Sequence, residues 1–168
     1  MFNVGDKIVY PMHGAGIIES IEEKEILGQK QKYYIMKMPV GDIKVMIPTT
    51  NARDIGIREV IGKEKATEVL VSLDNGYGFM NTNWNKRYRE NMEKIKSGNI
   101  FEVADVVKNL AHRDKEKGLS TGERKMLNNA RQILISELVL ANEMPQTEVE
   151  QVINDKLNSI VDLMSDIN

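Results

Sequence analysis

Asn83-Trp84-Asn85-Lys86-Arg87-Tyr88-Arg89 contains the only tryptophan in the 168-residue chain. Three basic side chains and a tyrosine follow that tryptophan within five residues. Asn83 is a good helix N-cap, so the sequence predicts a helix with Trp84 in its first turn. Two readings of the ring follow. A flat ring at a helix start, backed by cations, suits a nucleic-acid groove, where an apolar wedge unstacks a base step and cations hold phosphates. Trp84, Tyr88, Met92 and Ile95 also follow helical spacing, so the ring could instead head the buried stripe of its own helix.

The stretch stands near a change of pattern. Before residue 55, runs rich in Ile, Val and Tyr predict strands over Lys7 to Tyr10, Gly16 to Glu25, Lys32 to Met38 and Ile43 to Pro48. They are broken at Pro11, at Gly14 and Gly16, at Leu27-Gly28-Gln29 and at Pro39-Val40-Gly41-Asp42. Short strands this close together predict a small five-stranded barrel of the SH3 or Tudor type, whose exposed edge can accept a strand from a partner. From Ile57 onward the apolar period becomes helical. Ala66, Val69, Leu70 and Leu73 mark a short helix ended by Asp74-Asn75-Gly76, and Gly76-Tyr77-Gly78-Phe79 forms a loop leading to the Trp84 helix. That helix stops near Ser97-Gly98, and Asn99 caps the next one, which runs to Gly118. Ser120 and Glu123 have capping-box spacing at the start of the longest helix, which turns Leu127, Ala130, Leu134, Leu138 and Ala141 inward. After Pro145, Thr147 and Glu150 have the same spacing, ahead of Val149, Val152, Ile153, Leu157 and Ile160. The expected architecture is α+β in two domains: residues 1–55 a small β-barrel, residues 56–168 a bundle of about five helices.

Charge is unevenly distributed. Residues 1–55 carry seven basic and seven acidic side chains; residues 84–131 carry twelve basic against seven acidic. In residues 132–168, Lys156 alone opposes seven carboxylates. A basic block beside an acidic tail is how a nucleic-acid binder can have an overall net charge of −2. There is no cysteine, which removes disulfides, thiolate metal sites and a cysteine nucleophile together. His13 and His112 lie in different predicted domains and share no motif, which argues against a histidine triad or a multi-histidine zinc site. Gly14-Ala15-Gly16 has Glu19 where a dinucleotide fingerprint needs its third glycine, and no phosphate-binding loop is present. The reading is therefore of a binding protein rather than an enzyme, without a cofactor. The N-terminus has no signal-peptide pattern and no segment is long and apolar enough to span a bilayer, so a cytoplasmic protein is expected.

Taken together, these residues resemble the CarD family of bacterial transcription regulators. The resemblance is carried by Val4-Gly5-Asp6-Lys7-Ile8-Val9-Tyr10-Pro11, His13-Gly14, Ile47-Pro48, Asn83-Trp84, Arg87-Tyr88, Ala104-Asp105-Val106-Val107, and Lys117-Gly118-Leu119-Ser120 leading into Arg124 to Leu134. It runs from Phe2 to about Ala141. The N-terminal part is also similar to the polymerase-interacting domain of the transcription-repair coupling factor, although no helicase follows. The resemblance implies that a Tudor-like domain docks on the RNA polymerase β subunit while the helical domain reaches promoter DNA at the upstream edge of the bubble. There a tryptophan wedges into the minor groove and slows bubble collapse, with little sequence preference. Carried over, the wedge is Trp84, with Lys86, Arg87 and Arg89 as phosphate contacts and Arg124 and Lys125 as a second set. The implied docking face includes Lys24, Lys44 and Met46; some relatives have arginines at the positions of Lys24 and Met46. A monomer is expected in the functional complex. The alternative is a protein-only adaptor whose helices bind a second protein instead of DNA.

Overall fold

The computed structural model describes residues 1–76, 78 and 80–167, with side chains through residue 159. Tyr77, Phe79 and the side chain of Ile160, all named in the sequence reading, lie outside the described residues.

Alternating apolar residues fold the N-terminal part into a five-stranded antiparallel sheet. Its strands are β1 (Lys7–Tyr10), β2 (Gly14–Ile26), β3 (Gln29–Lys37), β4 (Lys44–Pro48) and β5 (Arg58–Glu59), in the spatial order β4-β3-β2-β1-β5. Ile8, Ile18, Tyr34, Met36 and Ile47 fill the inward face, closed by Ala52 and Ile57. A bulge between Ile18 and Ser20 shifts the β2–β3 register, so that Ile21 rather than Ser20 faces Tyr34. Sequence periodicity reveals four of the strands. The fifth is only two residues long, too short to carry a period, and lies just past residue 55, where Ile8 pairs with Glu59 and Val9 with Arg58.

Five helices follow: α1 (Lys63–Ser72), α2 (Trp84–Lys96), α3 (Ile100–Lys117), α4 (Thr121–Asn142) and α5 (Gln146–Ile167). The predicted caps at Asn83 and Asn99 are formed; their side chains accept from the N–H groups of Lys86 and Phe101. Gly118 ends α3 with φ of 74°, a conformation that costs glycine little. The Thr147/Glu150 box is not formed. Helix α5 begins at Gln146, two residues earlier than a Thr147 cap implies, with the Pro145 carbonyl accepting from Glu148 and Val149, so Thr147 already lies inside the first turn. The Glu150 carboxylate instead accepts from the Gln146 amide at 2.9 Å.

Helix α4 is the centre of the molecule. Leu127, Ala130, Leu134, Leu138 and Ala141 face the other helices, as expected. The sequence does not reveal that α4 also packs on the sheet. Leu140 packs with Val9 and Ala15, and the Ser136 hydroxyl accepts from the Ala15 N–H at 2.9 Å. A Cβ on Gly14 would lie 2.8 Å from that hydroxyl oxygen, so only glycine lets the sheet approach this closely. Glu137, 0% exposed, is held by both Arg58 Nη atoms at 2.7 Å and by the Ile61 N–H at 3.0 Å. Arg58 also donates to the Gly98 carbonyl at 2.9 Å, tying the loop before α3 to the same point.

Burying Glu137 is tolerable only because Arg58 faces it. Replacing Arg58 by Met leaves the carboxylate with a single N–H donor, and the expected loss of unfolding free energy is about 3–5 kcal/mol. Urea denaturation followed by circular dichroism checks this; a loss within about 0.5 kcal/mol, typical of surface changes, would contradict it.

Candidate nucleic-acid interface and docking face

Trp84 lies in the first turn of α2 and is 42% exposed, so it is not part of the helical core. Its position is nonetheless tightly defined. One ring face stacks on Tyr88, with centroids 5.0 Å apart and planes 18° from parallel. The indole N–H donates to the Ser120 hydroxyl oxygen at 3.0 Å. The outer edge of the ring lies over Gly122, where an added Cβ would be 3.4 Å from Cζ2. Three neighbours thus hold the ring against the start of α4 and leave the rest of it open to solvent. The spacing with Tyr88, Met92 and Ile95 is real, but only Ile95 is fully buried, at 1% exposed.

Arg87 corrects the sequence reading. The resemblance implies a phosphate contact here, yet Arg87 is 2% exposed and committed inside the protein. Its Nε and Nη2 donate to the two Glu123 oxygens at 2.7 and 2.9 Å, and Nη1 donates to the carbonyls of Asn81 and Thr82. With its donors engaged this way, Arg87 cannot also bind a phosphate. Its partner explains why the Ser120 capping box is only half formed. Ser120 accepts from the Glu123 N–H at 3.2 Å, but the Glu123 side chain does not reach back. The carboxylate turns inward to Arg87, whose two-point grip is stronger than a single bond to a backbone N–H. Hydrogen bonding from Arg87, ahead of every other influence, holds the Glu123 carboxyl below its ordinary range, while the same contact raises Arg87.

The cations left for an anionic partner surround the ring. Lys86, Arg89 and Lys125 are exposed and make no ion pair among the described residues. Arg124 is exposed but pairs with Asp114 at 2.8 Å, a surface contact weak enough to exchange. Arg131 turns away and donates to Asn154 on α5 at 2.7 Å. Along α2 an open groove of about 400 Å³ runs past Trp84, Tyr88, Arg89 and Met92. Among the described residues there is no cluster of three or more His, Asp or Glu suited to a metal ion. No helix there is long and apolar enough to cross a membrane.

The residues named for docking share one surface of the sheet. Met46 pairs with Ile35 and Lys44 with Lys37, while Ser20 and Lys24 pair with Ile35 and Gln31. Alternation along each strand then sends Lys24, Lys44 and Met46 to the outer face, opposite Tyr34, Met36 and Ile47. Strand β4, which carries two of the three, is a sheet edge. Lys44 donates to Glu19 at 2.9 Å, and that contact, ahead of any other influence, raises its ammonium above the usual lysine value. Met46 is 39% exposed and Ile17, on the same outer face, is 36% exposed. This face therefore sets exposed apolar side chains beside the Lys44–Glu19 ion pair and the exposed Lys24.

The family model described as "CarD-like/TRCF RID domain" matches residues 2–61, and that described as "CarD, C-terminal domain" matches residues 68–154. A protein of Bacillus subtilis (strain 168), YdeB, named as a candidate transcription factor, is 43% identical over 150 residues, covering 89% of this chain and 98% of its own.

The Arg87–Glu123 pair should be visible in acid. Because folding lowers the Glu123 pKa, the pair's stabilisation is present above the unfolded carboxylate value of about 4.3 and is lost as pH falls through the folded value. Arg87 stays charged throughout. Urea midpoints of the native protein and Glu123→Gln should therefore differ most above the unfolded carboxylate value of about 4.3 and converge as pH falls below it through the folded value. A gap that is constant with pH would show that the carboxylate's charge contributes nothing.

Proposed function

The chain belongs to the CarD family of transcription factors, and from that premise we propose that it docks on the RNA polymerase β subunit and stabilises the promoter open complex. The outer face of the sheet, around Lys24, Lys44 and Met46 and along the free edge of β4, is the docking surface. A strand edge supplies main-chain hydrogen bonds, and exposed apolar side chains supply buried area. The helical part, from α1 onward, is the part that meets DNA at the upstream edge of the bubble. The division of labour is between sheet and helices, and the protein acts in the cytoplasm as a monomer within the complex.

One observation carries this reading: the lone tryptophan is exposed yet held in place. A wedge entering the minor groove must displace a base step without first losing side-chain freedom, and a ring already stacked on Tyr88 and bonded to Ser120 meets that requirement. Lys86, Arg89 and Lys125, with Arg124 once it leaves Asp114, neutralise phosphates on either side. Arg87 acts indirectly by fixing the first turn of α2 to the start of α4. Contact through phosphates and the minor groove, whose base pattern is degenerate, is nonspecific. Location comes from tethering, since the docked sheet holds the helices beside one junction at high effective concentration.

Replacing Trp84 by Ala should leave polymerase binding unchanged and shorten open-complex lifetime by the equivalent of roughly 1–3 kcal/mol. Filter-binding decay after heparin challenge, beside a β-subunit pull-down, reads both. Unchanged lifetime would remove the wedge, and loss of polymerase binding would mean that docking spans both parts.

With at most four phosphates in reach, free protein should bind random and promoter duplexes alike, with log K against log salt falling at a slope between about −2 and −3.5. Tight, sequence-selective binding without polymerase would instead indicate an operator-binding protein, and no DNA binding even at low salt a protein-only adaptor.

A further inference from the structure

A second cavity lies at the open mouth of the sheet, on the inward side of β3, opposite the docking face. By register Ile21 faces Tyr34 on the core side, yet Ile21 is 41% exposed, and among the described residues no element closes the sheet there. The space it opens onto measures about 560 Å³, within the usual range for small-molecule sites. Its floor is apolar and preformed. Tyr34 is 2% exposed, its hydroxyl accepts from the Phe2 N–H at 3.2 Å, and the Phe2 ring meets it edge-on with centroids 6.0 Å apart. Ala52, 4% exposed, completes the floor.

The rim is rich in donors. Lys32 and Arg53 are exposed and make no ion pair among the described residues. The Thr50 hydroxyl accepts from the Gln31 amide at 3.0 Å, which leaves its own proton to donate. Asp54 is the one carboxylate in the lining. Two cations and a hydroxyl donor above an apolar floor suit a ligand with an acceptor-only head and an apolar body, and Asp54 disfavours a second anionic group on it.

We propose that the mouth of the sheet is a binding site for a small monocarboxylic acid with an aliphatic or aromatic body, which inserts its apolar end over Phe2, Ile21 and Tyr34 and presents its carboxylate to Lys32, Arg53 and Thr50. The ligand lies behind β3 and the docking face in front of it, so one chain can hold both a small acid and a protein partner. This site does not depend on the polymerase reading and can be tested without it.

The test uses the full-length protein, labelled with ¹⁵N and titrated with octanoate, with octylammonium as the probe of opposite charge. Octanoate should shift the amides of Ile21, Tyr34 and residues 49–54 saturably with one-to-one stoichiometry. Octylammonium should bind at least tenfold more weakly. The double variant Lys32→Glu, Arg53→Glu changes only exposed side chains and should reverse this preference while keeping the spectrum of a folded protein. Octanoate shifts that never saturate, shifts scattered over the surface, or equal affinity for the two probes would overturn the proposal.

Discussion

Two carboxylates buried on one helix set the terms for the rest of the molecule. Glu123 and Glu137 are 1% and 0% exposed, and each would be intolerable on α4 without a cation brought to it from elsewhere in the chain. Arg87 reaches Glu123 from α2, and Arg58 reaches Glu137 from β5. One pair fixes the tryptophan-bearing helix to the start of α4, while the other fixes the sheet further along it. Apolar packing supplies the bulk of the stabilisation on both sides, but it is non-directional. The bidentate pairs specify which residues meet.

The same principle explains what the sequence could and could not reveal. Apolar period and capping chemistry are local, so four strands, five helices and the caps at Asn83, Asn99 and Ser120 were legible from neighbouring residues. What was missed depends on contacts far apart in the chain. Arg87 sits among basic residues and looks like a phosphate contact; only its partner 36 residues away removes it from the surface. The Ser120 spacing correctly indicated a helix start, but capping-box logic assigns Glu123 to the backbone, and a buried guanidinium outcompetes that bond. The Thr147 spacing failed because Pro145 starts its helix two residues earlier. Strand β5 was invisible because two residues cannot show a period. The exposure of Trp84 was also undecidable, since an exposed ring resting on its own helix has the same spacing as a buried one.

Function follows from how the surface charge is apportioned. Near the ring, one arginine is withdrawn into the interior and three cations remain free, so the electrostatic footprint is narrower than the sequence implies. On the sheet, Lys44 is answered by Glu19 and Met46 stands uncharged beside an open strand edge, with the exposed Lys24 on the same face.

The length of α4 between its two clamps also fixes an angle. Fourteen residues separate Glu123 from Glu137, which is about 21 Å along the axis and close to four full turns, so both carboxylates emerge on nearly the same side. Inserting or deleting one residue between them would rotate one clamp by about 100° relative to the other. The tryptophan and the sheet would then point in different directions even if every local contact survived. In this segment the residue count cannot change, because the helix sets both the distance and the phase between the tryptophan and the sheet.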